Sequence, residues 1–312
     1  MPAAAELSTI LAEALGGAGI DHLVRLSGGA SRDTWRFTAD GRPLVVQLQR
    51  PADERDMLTE AEVVRAAREG GVPAPALVAA RRRPDGGALM ILEAVEGETI
   101  ARKIQRDDRY AAVRQRLVGD LGAALARIHA LDPQRVAGLE ARDQIAFYTD
   151  VLDTLGQPHP LLELVRRWLL AHRPESTRTA VVHGDFRLGN IIVGTDGLRA
   201  VIDWELAHLG DPMEDIGWLC VKAWRFGGRQ PVAGLGLYRE LFEAYESAGG
   251  APVDADVVRW WEVLGTWKWA IMCVRQSAAH LSGAVRSHEL AAIGRRVCEN
   301  EHDLFLALEG HW

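Results

Sequence analysis

The sequence predicts an α+β chain in two lobes, a small antiparallel β-sheet with one helix followed by a larger, mainly helical lobe. Three observations carry this prediction. Short β-like runs separated by Gly, Pro and Asp turns fill the chain up to about residue 95. Beyond Gly97, apolar residues recur at helical spacing over long segments. One polar hairpin, residues 181–205, interrupts those helices and gathers His, Asp, Arg and Asn between two apolar runs.

Residues 5–15 read as a short helix closed by Gly16-Gly17, and three strands follow at 22–26, 34–38 and 44–48. The first two strands are joined by Ser27-Gly28-Gly29-Ala30-Ser31-Arg32-Asp33. A Gly/Ser-rich hairpin of this kind can lay backbone N–H groups over phosphates, although a plain tight turn has the same composition. Residues 58–69 form a helix with Val63, Val64 and Ala67 on one face, stopped by Gly70-Gly71 and Pro73. Strands at 76–80 and 88–92 bring the first lobe to five strands and one helix. Glu93-Ala94-Val95-Glu96-Gly97 is then the hinge between a lobe over residues 1–95 and a lobe over 98–312. Gly97 supplies bending freedom there, and extended backbone around Glu93 and Val95 can pair with the edge of an adenine.

In the second lobe, residues 111–130 carry Leu117, Leu121, Leu125 and Ile128 on one helical face. Residues 144–155 and 161–171 are two more helices, and 231–247, 254–275 and 287–308 are three long helical stretches. Trp260, Trp261, Trp267 and Trp269 lie within one of these and read as core, not as a cofactor box.

With 312 residues, 48% hydrophobic and 25% charged, the chain is a globular one with room for two real cores. A formal charge of −7 argues against nucleic acid as a partner and is compatible with a cationic acceptor or with solubility alone. Cys220, Cys273 and Cys298 are widely spaced in apolar helical patterns and read as buried thiols in a reducing compartment, not a disulfide frame or zinc site. Residues 1–15 lack a basic segment and no stretch is long enough to span a membrane, so the expected location is cytoplasmic.

The chemistry concentrates in the hairpin. Val181-Val182 leads into His183-Gly184-Asp185-Phe186-Arg187-Leu188-Gly189-Asn190, and a second apolar run stops on Asp203-Trp204-Glu205. Two short buried strands thereby present Asp185, Asn190 and Asp203 at one end, hard oxygen donors suited to a divalent cation and a phosphate. No Gly-x-x-x-x-Gly-Lys-Ser/Thr is present, and Gly17-Ala18-Gly19 follows a helix and lacks a third Gly, so neither a P-loop nor a dinucleotide fingerprint is supported. Metal-dependent hydrolysis through His183 and Asp185 would need a second His/Asp ligand cluster, which the sequence lacks.

The form His-x-Asp-x-x-x-x-Asn, followed by an apolar strand ending in Asp, is the phosphoryl-transfer signature of protein-kinase-like enzymes. Across residues 23–308 the order of parts resembles the aminoglycoside-phosphotransferase-like superfamily, which shares the protein-kinase fold. More narrowly, residues 183–190 and Ile202-Asp203-Trp204-Glu205-Leu206-Ala207-His208-Leu209-Gly210-Asp211-Pro212 are similar to the branch that includes kinase domains linked to acyl-CoA dehydrogenases. So are Ser27-Gly28-Gly29-Ala30-Ser31 and Gly71-Val72-Pro73-Ala74-Pro75. The joint spacing, five residues from Asp185 to Asn190 and thirteen from Asn190 to Asp203, makes the resemblance specific.

The resemblance implies a Mg²⁺-dependent small-molecule kinase that transfers the γ-phosphate of ATP or GTP to a hydroxyl of a metabolite or antibiotic. The branch tilts the acceptor towards a hydroxyacyl or other metabolic compound. It implies Asp185 as catalytic base, Arg187 as a cation beside the transferring phosphoryl group, and Asn190 and Asp203 as metal ligands. Ser27, Gly28, Gly29, Ala30, Ser31, Gln47, Glu60, Glu93 and Val95 fall at nucleotide-binding positions. His183 and Asp215 fit loop braces, and Glu205 is either a solvent-facing residue or a contact to metal or acceptor. Asp254, Asp256 and Glu262 are either acidic members of an acceptor pocket or a solvated helix start.

One departure matters. Gln47 stands where the fold calls for a strand cation paired with a helix Glu, the partner role that Glu60 suits. Either Arg50 or Arg32 supplies the charge, or the protein is a catalytically weak or silent nucleotide-binding scaffold. Gln47 and Gln49 share a strand face, whereas Arg50 points the other way unless the strand ends there.

Overall fold

In the computed structural model, which describes residues 4–26, 32–49, 56–175 and 178–311, the first lobe is built on five antiparallel strands. After helix α1 (Ala4–Ala14) come β1 (Ile20–Arg25), β2 (Arg32–Ala39) and β3 (Arg42–Gln49), then helix α2 (Met57–Glu69), β4 (Leu77–Arg82) and β5 (Ala88–Glu93). The sheet order is β1-β2-β3-β5-β4. Two-residue alternation sorts the side chains: Phe37, Leu44, Val46, Leu48, Leu89 and Ile91 face one way and pack with Leu7 and Leu11 of α1. Met90 and Leu92 face the other way, towards Val63, Val64 and Ala67 of α2. α1, expected over residues 5–15, and α2 lie on opposite faces, because each apolar face of the sheet needs its own cover. The turn at Ser27-Gly28-Gly29-Ala30-Ser31, and Arg50, lie outside the described residues.

The second lobe runs through α3 (Ala101–Arg106), α4 (Ala111–His129), α5 (Gln144–Leu155) and α6 (Pro160–Ala171). Then come β6 (Ala180–Val182), β7 (Ile191–Gly194), β8 (Gly197–Val201), β9 (His208–Gly210) and α7 (Met213–Cys220). The chain closes with α8 (Tyr238–Ser247), α9 (Ala255–Leu281), α10 (His288–Ile293) and α11 (Arg296–Leu308). Leu117, Leu121, Leu125 and Ile128 of α4 are all fully buried, as their spacing requires. The Trp stripe of α9 is core: Trp260 and Trp267 pack among Ile145, Tyr148, Leu162 and Val165, and their indole N–H groups donate to Leu169 O (3.1 Å) and Leu162 O (2.8 Å).

Several helical expectations need correction. The stretch from residue 231 becomes helical only at Tyr238, since residues 230–236 form isolated bridges and Ala233 and Gly234 adopt positive φ. The 287–308 stretch is two helices broken at Gly294, where a Cβ would lie 2.7 Å from Ser277 Cβ of α9. The expectation of three buried thiols fails at Cys298, which is exposed on α11, while Cys220 and Cys273 are buried; all three are free. Among the described residues no helix is long and apolar enough to cross a membrane.

Main-chain bonds hold the β7–β8 hairpin to the segments on either side of it, and the one to Pro73 reaches the first lobe. Glu98 N donates to Val193 O (2.9 Å) and Val193 N returns to Glu98 O (3.0 Å), while Val201 N donates to Pro73 O (2.7 Å). A Cβ on Gly97 would approach Ile192 Cγ2 to 2.5 Å and Val193 O to 2.9 Å. Close packing against β7 and a φ of +157° both favour glycine there.

Candidate active site

Asp185 sits in the loop after β6 with donors from three directions. Its Oδ1 accepts from Arg187 Nε (3.0 Å) and Trp218 Nε1 (2.8 Å), and its Oδ2 accepts from Asn190 Nδ2 (2.6 Å). The loop is fixed from below by a buried carboxylate: Asp215 accepts from His183 N (2.7 Å) and Gly184 N (2.9 Å), and stands 3.2 Å from His129 Nε2. Burial alone would raise the Asp215 carboxyl, but His129 and His183 hold it below its ordinary value. His183 braces laterally. It accepts from Asp185 N at Nδ1 (3.2 Å), contacts Ile202 O through Nε2 (3.1 Å), and burial lowers its proton affinity. Gly184 has φ +78°, and a Cβ there would meet Leu206 O at 2.4 Å, so the loop needs glycine at that point. Lys268 of α9, buried, donates to Gly184 O (3.0 Å) and lies over the Trp218 ring at 4.5 Å.

Asn190 and Asp203 come together because the β7–β8 hairpin folds back, with Ile202 N donating to Asn190 O (2.9 Å). Asp203 holds φ +67°, the left-handed region that few non-glycine residues occupy. Burial first, then Glu205, Asp185 and Glu60, push the Asp203 carboxyl up to about 7, with Arg32 pulling the other way.

Across the cleft, the charge that Gln47 lacks is present on the neighbouring strand. Arg32 of β2, 5% exposed, forms an ion pair with Glu60 of α2, approaches Gln47 Oε1 through Nη1 (3.4 Å), and faces Glu205 Oε2 through Nε (3.4 Å). Glu93 at the end of β5 is engaged by Arg42, and Val95 beyond it is half-buried. Asp254 caps α9 by accepting from Asp256 N (2.9 Å), and Glu262 is buried against Tyr238 and Arg259. Beside Asp185 stand aromatic residues: Arg187 lies over Trp224 at 4.8 Å, and Trp224 packs on Trp218 and Trp269.

Sequence reasoning missed Trp218 and Lys268 as contacts of the loop. Trp218 lies in α7, whose eight residues are all buried, so no amphipathic period marks it. Lys268 is the one charge in the apolar stretch 263–274 of α9, and that buried-cation pattern was the available signal.

Residues 22–261 match the phosphotransferase enzyme family. The chain belongs to that family. Acyl-CoA dehydrogenase family member 11 of Rattus norvegicus is 28% identical over 210 residues, 61% of this chain and 26% of that protein. The chain thus spans about a quarter of the length of that relative. Among solved structures, a choline/ethanolamine kinase family protein from Mesorhizobium loti superposes with a TM-score of 0.69 at 21% identity, covering 98% of this chain and 94% of the other. The GDP and kanamycin complex of APH(2″)-IIIa gives a TM-score of 0.69 at 17% identity, covering 98% and 99%. At these identities the likeness is one of fold, the bilobal kinase-like architecture of the family.

Proposed function

We propose that the protein is a Mg²⁺-dependent small-molecule kinase that moves the γ-phosphoryl group of ATP or GTP to an acceptor hydroxyl. Residues 1–95 form the nucleotide lobe, 93–97 the hinge, and 98–312 the lobe of the catalytic loop and acceptor. The observation that carries this reading is the Asp185 carboxylate, held by Arg187, Trp218 and Asn190 from three sides with Asp203 close by. Asp185 orients the acceptor hydroxyl and takes its proton as the acceptor oxygen bonds to the γ-phosphorus and the bond to the bridging oxygen breaks, releasing the nucleoside diphosphate. Arg187 neutralises charge on the phosphoryl group in transit.

The donor set suits the cation. Asn190 commits its Nδ2 to Asp185 and so offers Oδ1, while Asp203 is a buried carboxyl among carboxylates. Among the described residues no group of three or more His, Cys, Asp or Glu side chains forms a metal site. Two protein oxygens with phosphate and water completing the shell is the pattern of Mg²⁺. When bound, the ion supplies the positive charge that the clustered carboxylates and the phosphates require.

For the acceptor, APH(2″)-IIIa binds kanamycin and the relative named above is an acyl-CoA dehydrogenase family member. A polycationic aminoglycoside calls for an acidic acceptor pocket. Here Arg187, Trp218 and Trp224 border Asp185 instead, which favours a hydroxyacyl or other metabolic acceptor with an apolar body. A purified sample is expected to hydrolyse or transfer from Mg-ATP or Mg-GTP when challenged with a metabolite panel, and Asp185→Ala should lose that turnover by at least about a hundredfold. Equal turnover by wild type and Asp185→Ala would refute the reading. Gln47 favours a second reading, a silent nucleotide-binding scaffold; it predicts nucleotide binding without any turnover, and activity appearing only when Gln47→Lys is introduced.

A further inference from the structure

Strand β2 pairs β3 in the register Arg32↔Gln49 and Thr34↔Gln47. Directly opposed residues of an antiparallel pair share a face, as do residues two apart on one strand. Arg32, Thr34, Gln47 and Gln49 therefore line one side of the sheet, the side shared with Met90 and turned towards α2 and the catalytic hairpin. On that side Gln47 is neutral and Arg32 carries the charge. The guanidinium touches three elements at once: Glu60 on α2, Gln47 on β3 and Glu205 two residues past Asp203. Its Nε lies buried within ion-pair distance of Glu205 yet outside hydrogen-bond geometry, so one donor of the fork has no acceptor there.

Resting on the phosphotransferase reading above, we infer that Arg32 is the cation that holds the nucleotide phosphates, displaced by one strand from its usual seat, and that Gln47 orients its guanidinium. Glu60 fixes the inner edge of the fork, as an acidic helix partner would fix a strand lysine. Glu205 occupies the outer edge until phosphate oxygens arrive. The guanidinium then exchanges one carboxylate for a phosphate and remains charge-neutralised throughout. A planar fork reaching across from β2 makes a bidentate contact where a β3 lysine makes a point contact, so the exchange is also a change in recognition geometry.

The test is a charge transplant read by nucleotide binding. Mg-ATP and Mg-GTP titrations are run on wild type, Arg32→Gln, Arg32→Lys, Gln47→Lys and the double variant Arg32→Gln/Gln47→Lys, with Asp185→Asn as a control that keeps the nucleotide site. Far-UV circular dichroism and thermal melts establish that each chain is folded. Loss of a charge-assisted contact is expected to weaken Arg32→Gln binding about tenfold to a hundredfold. The double variant should recover most of that loss, and acceptor KM should move far less than nucleotide KM. A folded Arg32→Gln that binds nucleotide as wild type does, or a double variant no better than Arg32→Gln alone, overturns the assignment and leaves the phosphotransferase reading intact. Wild type and Asp185→Asn both failing to bind any Mg-nucleotide overturns both.

Discussion

Trp218 Nε1 donates a 2.8 Å hydrogen bond to Asp185 Oδ1, so an indole buried in α7 fixes the rotamer of the candidate base 33 residues away in sequence. Lys268 lies over that same indole and donates to Gly184 O, which ties helix, ring and loop into one unit. Trp218→Phe keeps the ring in its apolar setting and deletes only the donor. The expected result is a turnover number about tenfold lower with acceptor and nucleotide KM nearly unchanged, since a positioning bond of this kind contributes about 1 kcal/mol. Steady-state kinetics check it, and an unchanged turnover number would show that the carboxylate is held by Arg187 and Asn190 alone.

Asp215 satisfies two buried backbone donors, His183 N and Gly184 N, and stands beside His129. Asp215→Ala leaves those N–H groups buried without an acceptor and removes the partner of a buried histidine. About 3 kcal/mol of stability should be lost, lowering Tm by several degrees. Calorimetry measures this directly. A Tm within one degree of wild type would mean that water replaces the carboxylate at no cost.

Glu262 gives a pH signature. Burial pushes its carboxyl from 4.5 up to about 7, although Arg259, Tyr238 and Arg225 favour the charged form. The folded state thus holds this proton more tightly than the unfolded chain does. Its contribution is fully present below pH 4.5 and disappears as pH rises through 7, a swing on the order of 3 kcal/mol. Glu262→Gln removes the titration and keeps an acceptor for Tyr238. Melting curves from pH 5 to pH 8 should show wild type losing ground steadily against Glu262→Gln; a constant gap across that range would contradict the assignment.

Where local chemistry decided structure, the sequence was legible. α5 begins and ends at its expected bounds because Asp143 accepts from Ala146 N at one end and Gly156 takes a left-handed φ of 63° at the other, both readable signals. The hairpin was legible for the same reason, its two apolar runs being joined by Gly194-Thr195-Asp196-Gly197. The break at Gly294 was not, since the close approach of Ser277 to that position belongs to another helix and leaves no mark in the local sequence. Nor was α7, whose uniform burial erases periodicity. At the site, Asp185, Asn190 and Asp203 could be read from spacing. The role of Arg32 could not be decided, because only the fold shows that its side chain crosses to Glu60.

Val201–Pro73 pins the small lobe to the β7–β8 hairpin, and Glu98–Val193 pins the same hairpin to the start of the second lobe, a common axle. The β7–β8 hairpin is held at Glu98 on one strand and by the α2–β4 connection on the other, which anchors the small lobe to it at Pro73. A closing motion that keeps these bonds is expected to turn about the hairpin flanked by Asn190 and Asp203, with those two residues nearly still. In deuterium exchange, the amides of Glu98, Val193 and Val201 should accordingly rank with those of the α4 core, and fast exchange at all three would show that the axle slips.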